Sequence, residues 1–448
     1  MTETTQITQH ILPCYIRGNW GSLKNLSLFK KMTTILEDGN GLFSTHVALD
    51  DVNFAIKNEM RTESELSKDS LLEIIGDGNG FSSCVILVTC DWSIPSIDLP
   101  KKLVLKIVSF THIKRLIDNA KSKGFCKVKS KDEEKMAEHF LISILAMHNQ
   151  EINFYEILSS ANAENILTPK VYFSQKFDET NRCKGFIGME FLEGIGIRHS
   201  YENCTVQEFQ PILKLIASIQ ALSFSVPNED FKRIEDESVY AKSVEAMMSG
   251  EGMKGCFEHT RLRDTEQFTD IVERIQGYGT KILDFKKAFN LNKVLGYYQK
   301  RLRSRGPLEA NILWTKESNG QFTALKVIDY QTAHTGNPAE DLVRFLTSTL
   351  SGSDRQAHWE QILETFYEYF LEALGENKAP YSSEELKKSY KLFFPMGGLA
   401  LLPLFGAAVD MKLESMDKDE TEKYKNIVIE KLKCLLEDVE KFYLESSV

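Results

Sequence analysis

One stretch constrains this chain more than any other, the run from Asn311 to Leu346. It reads Asn311-Ile-Leu-Trp314, a polar turn, Ala324-Leu-Lys-Val-Ile-Asp329-Tyr-Gln331, and then Gly336-Asn-Pro-Ala-Glu-Asp-Leu-Val-Arg-Phe-Leu346. Two apolar runs flank the turn, which predicts a pair of strands. The second strand ends on one carboxylate, Asp329. The Gly336-Asn337-Pro338 break then predicts a helix start, with Asn337 as N-cap and Pro338 as the first helical residue. An amide at Asn311 and a carboxylate at Asp329 are hard oxygen donors, the kind that Mg²⁺ takes.

The same stretch resembles a known family, the choline-kinase-like and ecdysteroid-kinase-like proteins. The likeness is strongest to their nematode branch, and the family is related to aminoglycoside phosphotransferases. The family pattern is His-Gly-Asp-Leu-Trp-x-x-Asn, then Ile-Asp-Phe/Tyr-Gln, then Gly-x-Pro-x-x-Asp-Leu. Asn311, Ile328-Asp329-Tyr330-Gln331 and Gly336 to Leu342 match it. The resemblance implies an α+β, two-lobed protein-kinase-like fold with a small antiparallel-sheet N-lobe and a mainly helical C-lobe. It implies ATP and Mg²⁺ as cofactors, with Asn311 and Asp329 as metal ligands and Asp341 bracing the catalytic loop. It also implies transfer of phosphate to a hydroxyl of a small molecule, whose identity the sequence leaves open. The likeness starts near Gly41 and runs almost to the C-terminus. The expected divisions are therefore an extension over residues 1–40, an N-lobe over 41–190 and a C-lobe over 191–448.

A chain of 448 residues can bury the core that two lobes need. The net charge of -10 disfavours a general nucleic-acid binder or a membrane-surface protein. Eight scattered cysteines form no C-x-x-C, which argues against a zinc ribbon or a disulfide scaffold and suits reduced thiols in a cytoplasmic protein. The longest apolar stretch, Leu392 to Val409, is interrupted by Pro395, Gly397, Gly398, Pro403 and Gly406. It reads as a buried helix or helix pair rather than a membrane span.

Earlier in the chain, Leu71 to Ile75 and Cys84 to Cys90 read as two strands joined by a glycine-rich turn. Gly76, Gly78, Gly80 and Ser82 in that turn could bring backbone N–H groups close to phosphate oxygens. No Gly-Lys-Ser/Thr follows, so this is not a Walker A loop. An ordinary hairpin turn is the plainer reading.

Leu103-Val-Leu-Lys106-Ile-Val108 is a strand with one lysine among aliphatics. That lysine is either an edge-strand charge or the phosphate-positioning lysine of a kinase-like lobe. The second role needs a partner carboxylate on a helix. A helix is predicted over Met136 to Leu158, with Phe140, Ile144, Met147, Phe154 and Leu158 on one face. Within it His148-Asn-Gln-Glu151 resembles the family's His-Asn-x-Glu, which makes Glu151 the expected partner. Read without the family, Glu151 is one of many solvated helix acids. The lysine-rich run from Lys114 to Lys135 reads as a solvated connector or a helix start.

Thr168 to Phe173 and Phe186 to Gly194 read as two further strands. The second ends where a hinge between lobes would lie. Backbone groups from Glu190 to Leu192 could bond an adenine edge there, or could be no more than the end of a sheet. Helices are predicted over Val206 to Phe224, Ala357 to Leu374, Glu384 to Phe393 and Glu420 to Tyr443. Trp359, Leu363, Phe366, Phe370 and Leu374 form the inward stripe of the second.

The departure from the family lies between Lys300 and Asn311. Its catalytic Asp stands five residues before the Asn, a position held here by Gly306. The His position is held by Ser304 and the Trp position by Leu308. Arg301-Leu-Arg-Ser-Arg-Gly-Pro-Leu-Glu309 contains no Asp, and Glu309 has the wrong spacing. No catalytic residue of the motif is intact. The expectation is a family member impaired in catalysis, or a nucleotide-binding pseudokinase or other non-enzymatic module. One back-translation of residues 301–309, read one base out of frame, gives Val-Phe-Val-His-Gly-Asp-Leu-Trp. The hypothesis that this segment is a displaced reading frame is decided by the transcript.

Overall fold

The computed structural model describes residues 37–76, 83–109, 130–161, 166–231, 233–234, 251–282, 302–303, 311–318 and 320–446. They fall into two compact units. One comprises the described residues up to Glu156 together with Thr168–Gly194. The other comprises Ile157–Leu167 and the described residues from Ile195 onward. The architecture is the α+β one expected, an antiparallel-sheet unit and a mainly helical unit.

The sheet unit opens with helix α1 (Leu49–Met60). Five strands follow: β1 (Leu71–Ile74), β2 (Ser83–Thr89), β3 (Lys102–Val108), β4 (Val171–Gln175) and β5 (Phe186–Glu190). Their spatial order is β1-β2-β3-β5-β4, and each neighbouring pair is antiparallel. Strand β3 is therefore central, paired with β2 through Val85↔Lys106 and with β5 through Lys106↔Ile187. This removes the edge-strand reading of Lys106. The period of two along β3 sorts its side chains. Leu103, Leu105 and Ile107 are buried and join Val52, Ala55 and Ile56 of α1 in one apolar core. Lys102, Val104 and Lys106 point to the opposite face.

Helix α2 (Ser130–Ser160) joins the sheet strands in sequence between β3 and β4. It starts earlier and ends later than its apolar periodicity suggested. Ile144, Leu145, His148, Glu151, Ile152, Phe154, Tyr155, Ile157 and Leu158 are buried. Of the expected face, Met147 is only half-buried.

In the helical unit, β6 (Ile195–Ile197), β8 (Ile312–Lys316) and β9 (Phe322–Val327) form an antiparallel sheet with β8 in the middle. Two-residue strands β7 (Leu302–Arg303) and β10 (His334–Thr335) pair antiparallel, Arg303 opposite His334. The helices are α3 (Gln210–Leu222), α4 (Glu251–Arg263), α5 (Thr265–Gly277), α6 (Glu340–Thr349), α7 (Gly352–Leu374), α8 (Ser383–Leu399), α9 (Ala407–Glu414) and α10 (Lys418–Ser446).

The aromatic stripe of α7 is core as predicted. Trp359, Leu363, Phe366, Phe370 and Leu374 are all buried. Trp359 stacks on Tyr390 of α8 at 5.3 Å, and Phe442 of α10 meets Trp359 edge-on. Buried Arg355 pairs with Asp438 at 2.9 Å, and buried Lys431 donates to the Glu202 and Ser348 carbonyls. The interrupted stretch after Leu392 is the end of α8, a 3₁₀ turn at Leu402–Phe405, and α9. Among the described residues no helix is long and apolar enough to cross a membrane.

Helix α6 begins later than the Gly-Asn-Pro signal suggested. Pro338 and Ala339 form a turn, and the helix starts at Glu340. Asn337 still caps this entry. Its Oδ1 accepts the Ala339 N–H at 2.8 Å, and its carbonyl accepts the Glu340 N–H at 3.2 Å. The i→i+3 bond makes the first turn tighter than an α-turn, which displaces the helix start by two residues.

Candidate functional site

Two groups of polar residues stand out, one in each unit. In the sheet unit, Lys106 Nζ lies 2.7 Å from Glu151 Oε2. The glutamate is 1% exposed and the lysine side chain 14%. A carboxylate removed from water this completely requires a compensating cation, and one side chain on the central strand supplies it. The lysine side chain keeps limited solvent access. Glu151 is not a solvated helix acid.

The glycine-rich turn is described only at its start. Gly76, two residues beyond β1, has φ +66°, and a Cβ built there would meet no atom within 4 Å. The need for glycine is conformational, not steric. Gly78, Gly80 and Ser82 lie outside the described residues. At the far end of the sheet, the Glu190 N–H donates to the Lys170 carbonyl, and its carboxylate accepts the Lys170 N–H. That N–H is therefore committed to closing β5 against β4. Leu192 is half-buried, and Gly194, four residues beyond the end of β5, has φ +68°.

In the helical unit the β8–β9 hairpin brings Asn311 and Asp329 together. The Asn311 Nδ2 donates to Asp329 Oδ2 at 3.0 Å, and the Gln331 Nε2 reaches the same oxygen at 3.3 Å. The Ile328 N–H donates to the Asn311 carbonyl, so the two residues are tied through backbone as well. Asp329 has φ +67°. An L-residue rarely holds this left-handed conformation, which costs on the order of 1 kcal/mol and concentrates at functional positions. Sequence reasoning did not foresee it, because Asp is tolerated there without being required.

Asp341 is fully buried in the first turn of α6. Tyr330, next to Asp329, is also fully buried. Burial, and then the charge of Asp341, hold its hydroxyl well above the usual phenol range. His334 and Glu340 form a second buried pair nearby, 3.4 Å apart. Strand pairing of β7 with β10 fixes the backbone at Leu302 and Arg303. Ser304, Gly306, Leu308 and Glu309 lie outside the described residues.

The donors suit Mg²⁺. With its N–H turned onto Asp329, the Asn311 amide has its oxygen directed elsewhere, and Asp329 adds a carboxylate. Among the described residues no cluster of three or more His, Cys, Asp or Glu forms a dedicated metal cage. Magnesium ordinarily takes one or two protein oxygens and completes its shell with water and phosphate.

A family model described as uncharacterized oxidoreductase dhs-27 (DUF1679) matches residues 35–447. Two curated proteins of Caenorhabditis elegans are similar. "Uncharacterized oxidoreductase dhs-27" is 23% identical over 304 residues, covering 66% of this chain and 34% of that protein. "Uncharacterized kinase-like protein D1044.1" is 22% identical over 263 residues, covering 55% of this chain and 62% of that protein. The matched part is thus less than two thirds of either relative. Among solved structures, a choline kinase from Cryptosporidium parvum superposes with a TM-score of 0.43 at 13% identity, over 83% of this chain and 90% of that one. The GDP complex of wild-type aminoglycoside 2'-phosphotransferase-IIIa gives 0.37 at 14% identity, over 88% and 99%.

Proposed function

The chain belongs to the DUF1679 family, and from that premise we propose that it is a kinase-like phosphotransferase that binds ATP with Mg²⁺ and is impaired in catalysis. The observation that carries this reading is the buried Lys106–Glu151 ion pair on the central strand of an antiparallel sheet. Lys106 positions ATP phosphates, and Glu151 fixes the ammonium group. Asn311 and Asp329 hold the magnesium ion, which when bound neutralises charge on the phosphate oxygens. Gly76, Gly78, Gly80 and Ser82 cover the phosphates. Asp341 braces the loop that precedes Asn311. An adenine edge is met by backbone beyond the Glu190 N–H, toward Leu192.

The acceptor is a hydroxyl of a small molecule. Its proton needs a carboxylate, and residues 301–309 bring no Asp to the family position. Positioning and charge neutralisation survive that loss better than proton transfer does. This favours a nucleotide-binding pseudokinase over an efficient enzyme.

The oxidoreductase in one relative's name is a poorer fit. Dinucleotide-dependent chemistry on a doubly wound fold uses a parallel sheet with a glycine-rich strand-to-helix turn. All pairs of described strands here are antiparallel, and the glycine-rich turn joins two strands.

The test has two arms. Thermal shift with ATP, with and without Mg²⁺, should show stabilisation that grows with the metal; no shift up to millimolar nucleotide would refute the binding reading. Transfer of γ-phosphate to a pool of small metabolites should be weak or absent. Efficient turnover by the chain as it stands would overturn the impairment.

A further inference from the structure

His148 and Asn149 belong to the His-Asn-Gln-Glu segment, yet the chemistry above uses only its last residue. Both are engaged at one place. His148 is 3% exposed and its Nε2 donates to the Gln175 carbonyl at 2.9 Å. The Asn149 amide bonds the backbone of Phe177 in both directions: Nδ2 donates to the carbonyl and Oδ1 accepts the N–H, each at 2.8 Å. Two turns further along the helix, Glu156 pairs with Lys176 at 2.8 Å. Helix α2 is thus fastened at three successive residues, 175, 176 and 177, where β4 ends.

That anchor is itself joined to β3. The Phe177 ring lies edge-on to the His148 imidazole, centroids 5.1 Å apart. It covers Gly185, where a Cβ would sit 2.3 Å from the ring and 3.0 Å from His148 Cδ2. The Gly185 carbonyl accepts the N–H of Val108, the last residue of β3. A short path therefore runs from His148 and Asn149 through Phe177 and Gly185 to the strand that carries Lys106.

We propose that His148 and Asn149 are positioning residues that lock the register of α2 against the end of β4 and so hold Glu151 on Lys106. Helix geometry sets the tolerance. A slip of one residue moves a side chain by about 1.5 Å along the axis and turns it by about 100°. Either displacement breaks a contact of 2.7 Å. Bonds from two neighbouring side chains to fixed backbone groups prevent the slip. The imidazole serves this role uncharged, since burial, with smaller contributions from Lys106 and Lys176, pushes its pKa down to about 4. The significance for nucleotide binding rests on the function proposed for Lys106, whereas the clamp geometry does not.

The experiment measures the acetylation rate of Lys106 in the full chain by mass spectrometry, with exposed Lys316 as internal reference. Asn149→Asp keeps size but loses the donor to Phe177. His148→Ala loses the bond to Gln175, and His148→Gln keeps a donor near the Nε2 position. Asn149→Asp and His148→Ala should raise Lys106 acetylation about tenfold, toward the rate in Glu151→Gln, on the scale by which supporting partners tune a site. His148→Gln should stay within about twofold of the parent. His148→Ala added to Glu151→Gln should raise it no further, because the clamp acts through Glu151. An unchanged Lys106 rate in both clamp variants overturns the proposal. So does an equal rise at buried Lys431 of α10, which would mean general loosening, or a fully additive double variant. ATP affinity measured on the same proteins should fall in parallel. Absence of ATP binding by the parent would overturn the proposed function alone, while acetylation still judges the clamp.

Discussion

Asn311 donates its side-chain N–H to the carboxylate of Asp329 at 3.0 Å, and Asp329 accepts it from a left-handed backbone with φ +67°. The bond spans a hairpin whose strands are already paired, so it is not needed to close the turn. It orients two oxygen-bearing side chains at the cost of a backbone conformation that only glycine adopts freely. Removing that cost should separate stability from metal binding.

Asp329→Gly should therefore leave the nucleotide-free protein within about 1 kcal/mol of the parent, because relief of the left-handed position offsets the lost bonds from Asn311 and Gln331. It should at the same time abolish the Mg²⁺-dependent part of the ATP thermal shift. Thermal melts with and without ATP and Mg²⁺ check both. A variant that keeps the full metal increment would remove Asp329 from the site.

Breaking the Lys106–Glu151 pair should cost stability, and asymmetrically. Lys106→Met leaves a carboxylate that is 1% exposed without its cation, a loss on the order of 3 kcal/mol. The double change Lys106→Met with Glu151→Leu removes both charges and should recover most of it. Urea unfolding of the three proteins measures the difference. Equal destabilisation by single and double variants would mean that packing, not charge, holds this position.

Acid should weaken the fold through His148. An unfolded imidazole takes its proton near pH 6.5, the folded one only near pH 4, because burial disfavours the charged ring. In that window the unfolded chain binds more protons. Stability is complete above pH 6.5 and falls as pH drops toward 4, by on the order of 3 kcal/mol in all. His148→Gln should flatten this limb of the pH–stability curve. An unaltered limb would place the acid sensitivity elsewhere.

The segment before Asn311 offers a gain-of-function test. Placing the family motif through Ser304→His, Arg305→Gly and Gly306→Asp should raise phosphate transfer by about 10²–10⁴-fold, the usual contribution of a positioned base. ATP binding should change little. Sequencing the transcript across Lys300 to Asn311 tests the frame hypothesis separately. Codons that cannot yield His-Gly-Asp in another frame would end it.

Much of this molecule was legible in the chain because the responsible forces are local. The helical spacing of Trp359, Leu363, Phe366, Phe370 and Leu374 reports which face meets apolar surroundings, and the structure buries that face. The motif around Asp329 placed a carboxylate at the end of a strand, where it is found. Boundaries were less legible. The entry to α6 moved from Pro338 to Glu340 because a capping side chain can begin a tight turn as readily as an α-turn.

Other features exist only once distant segments meet. Residue order cannot tell whether a lysine-bearing strand is central or at an edge, and three-dimensional pairing with β2 and β5 put Lys106 in the middle. The left-handed backbone of Asp329 depends on what its neighbours are bonded to. The role of Asn149 depends on backbone groups 28 residues away that have no side-chain signature at all. Sequence alone thus determined the elements, their buried faces and the missing acid before Asn311, because composition and period act over a few residues. Tertiary structure alone decided which charges are paired, which strand is interior and where the backbone is strained, because those depend on contacts between groups the chain holds far apart.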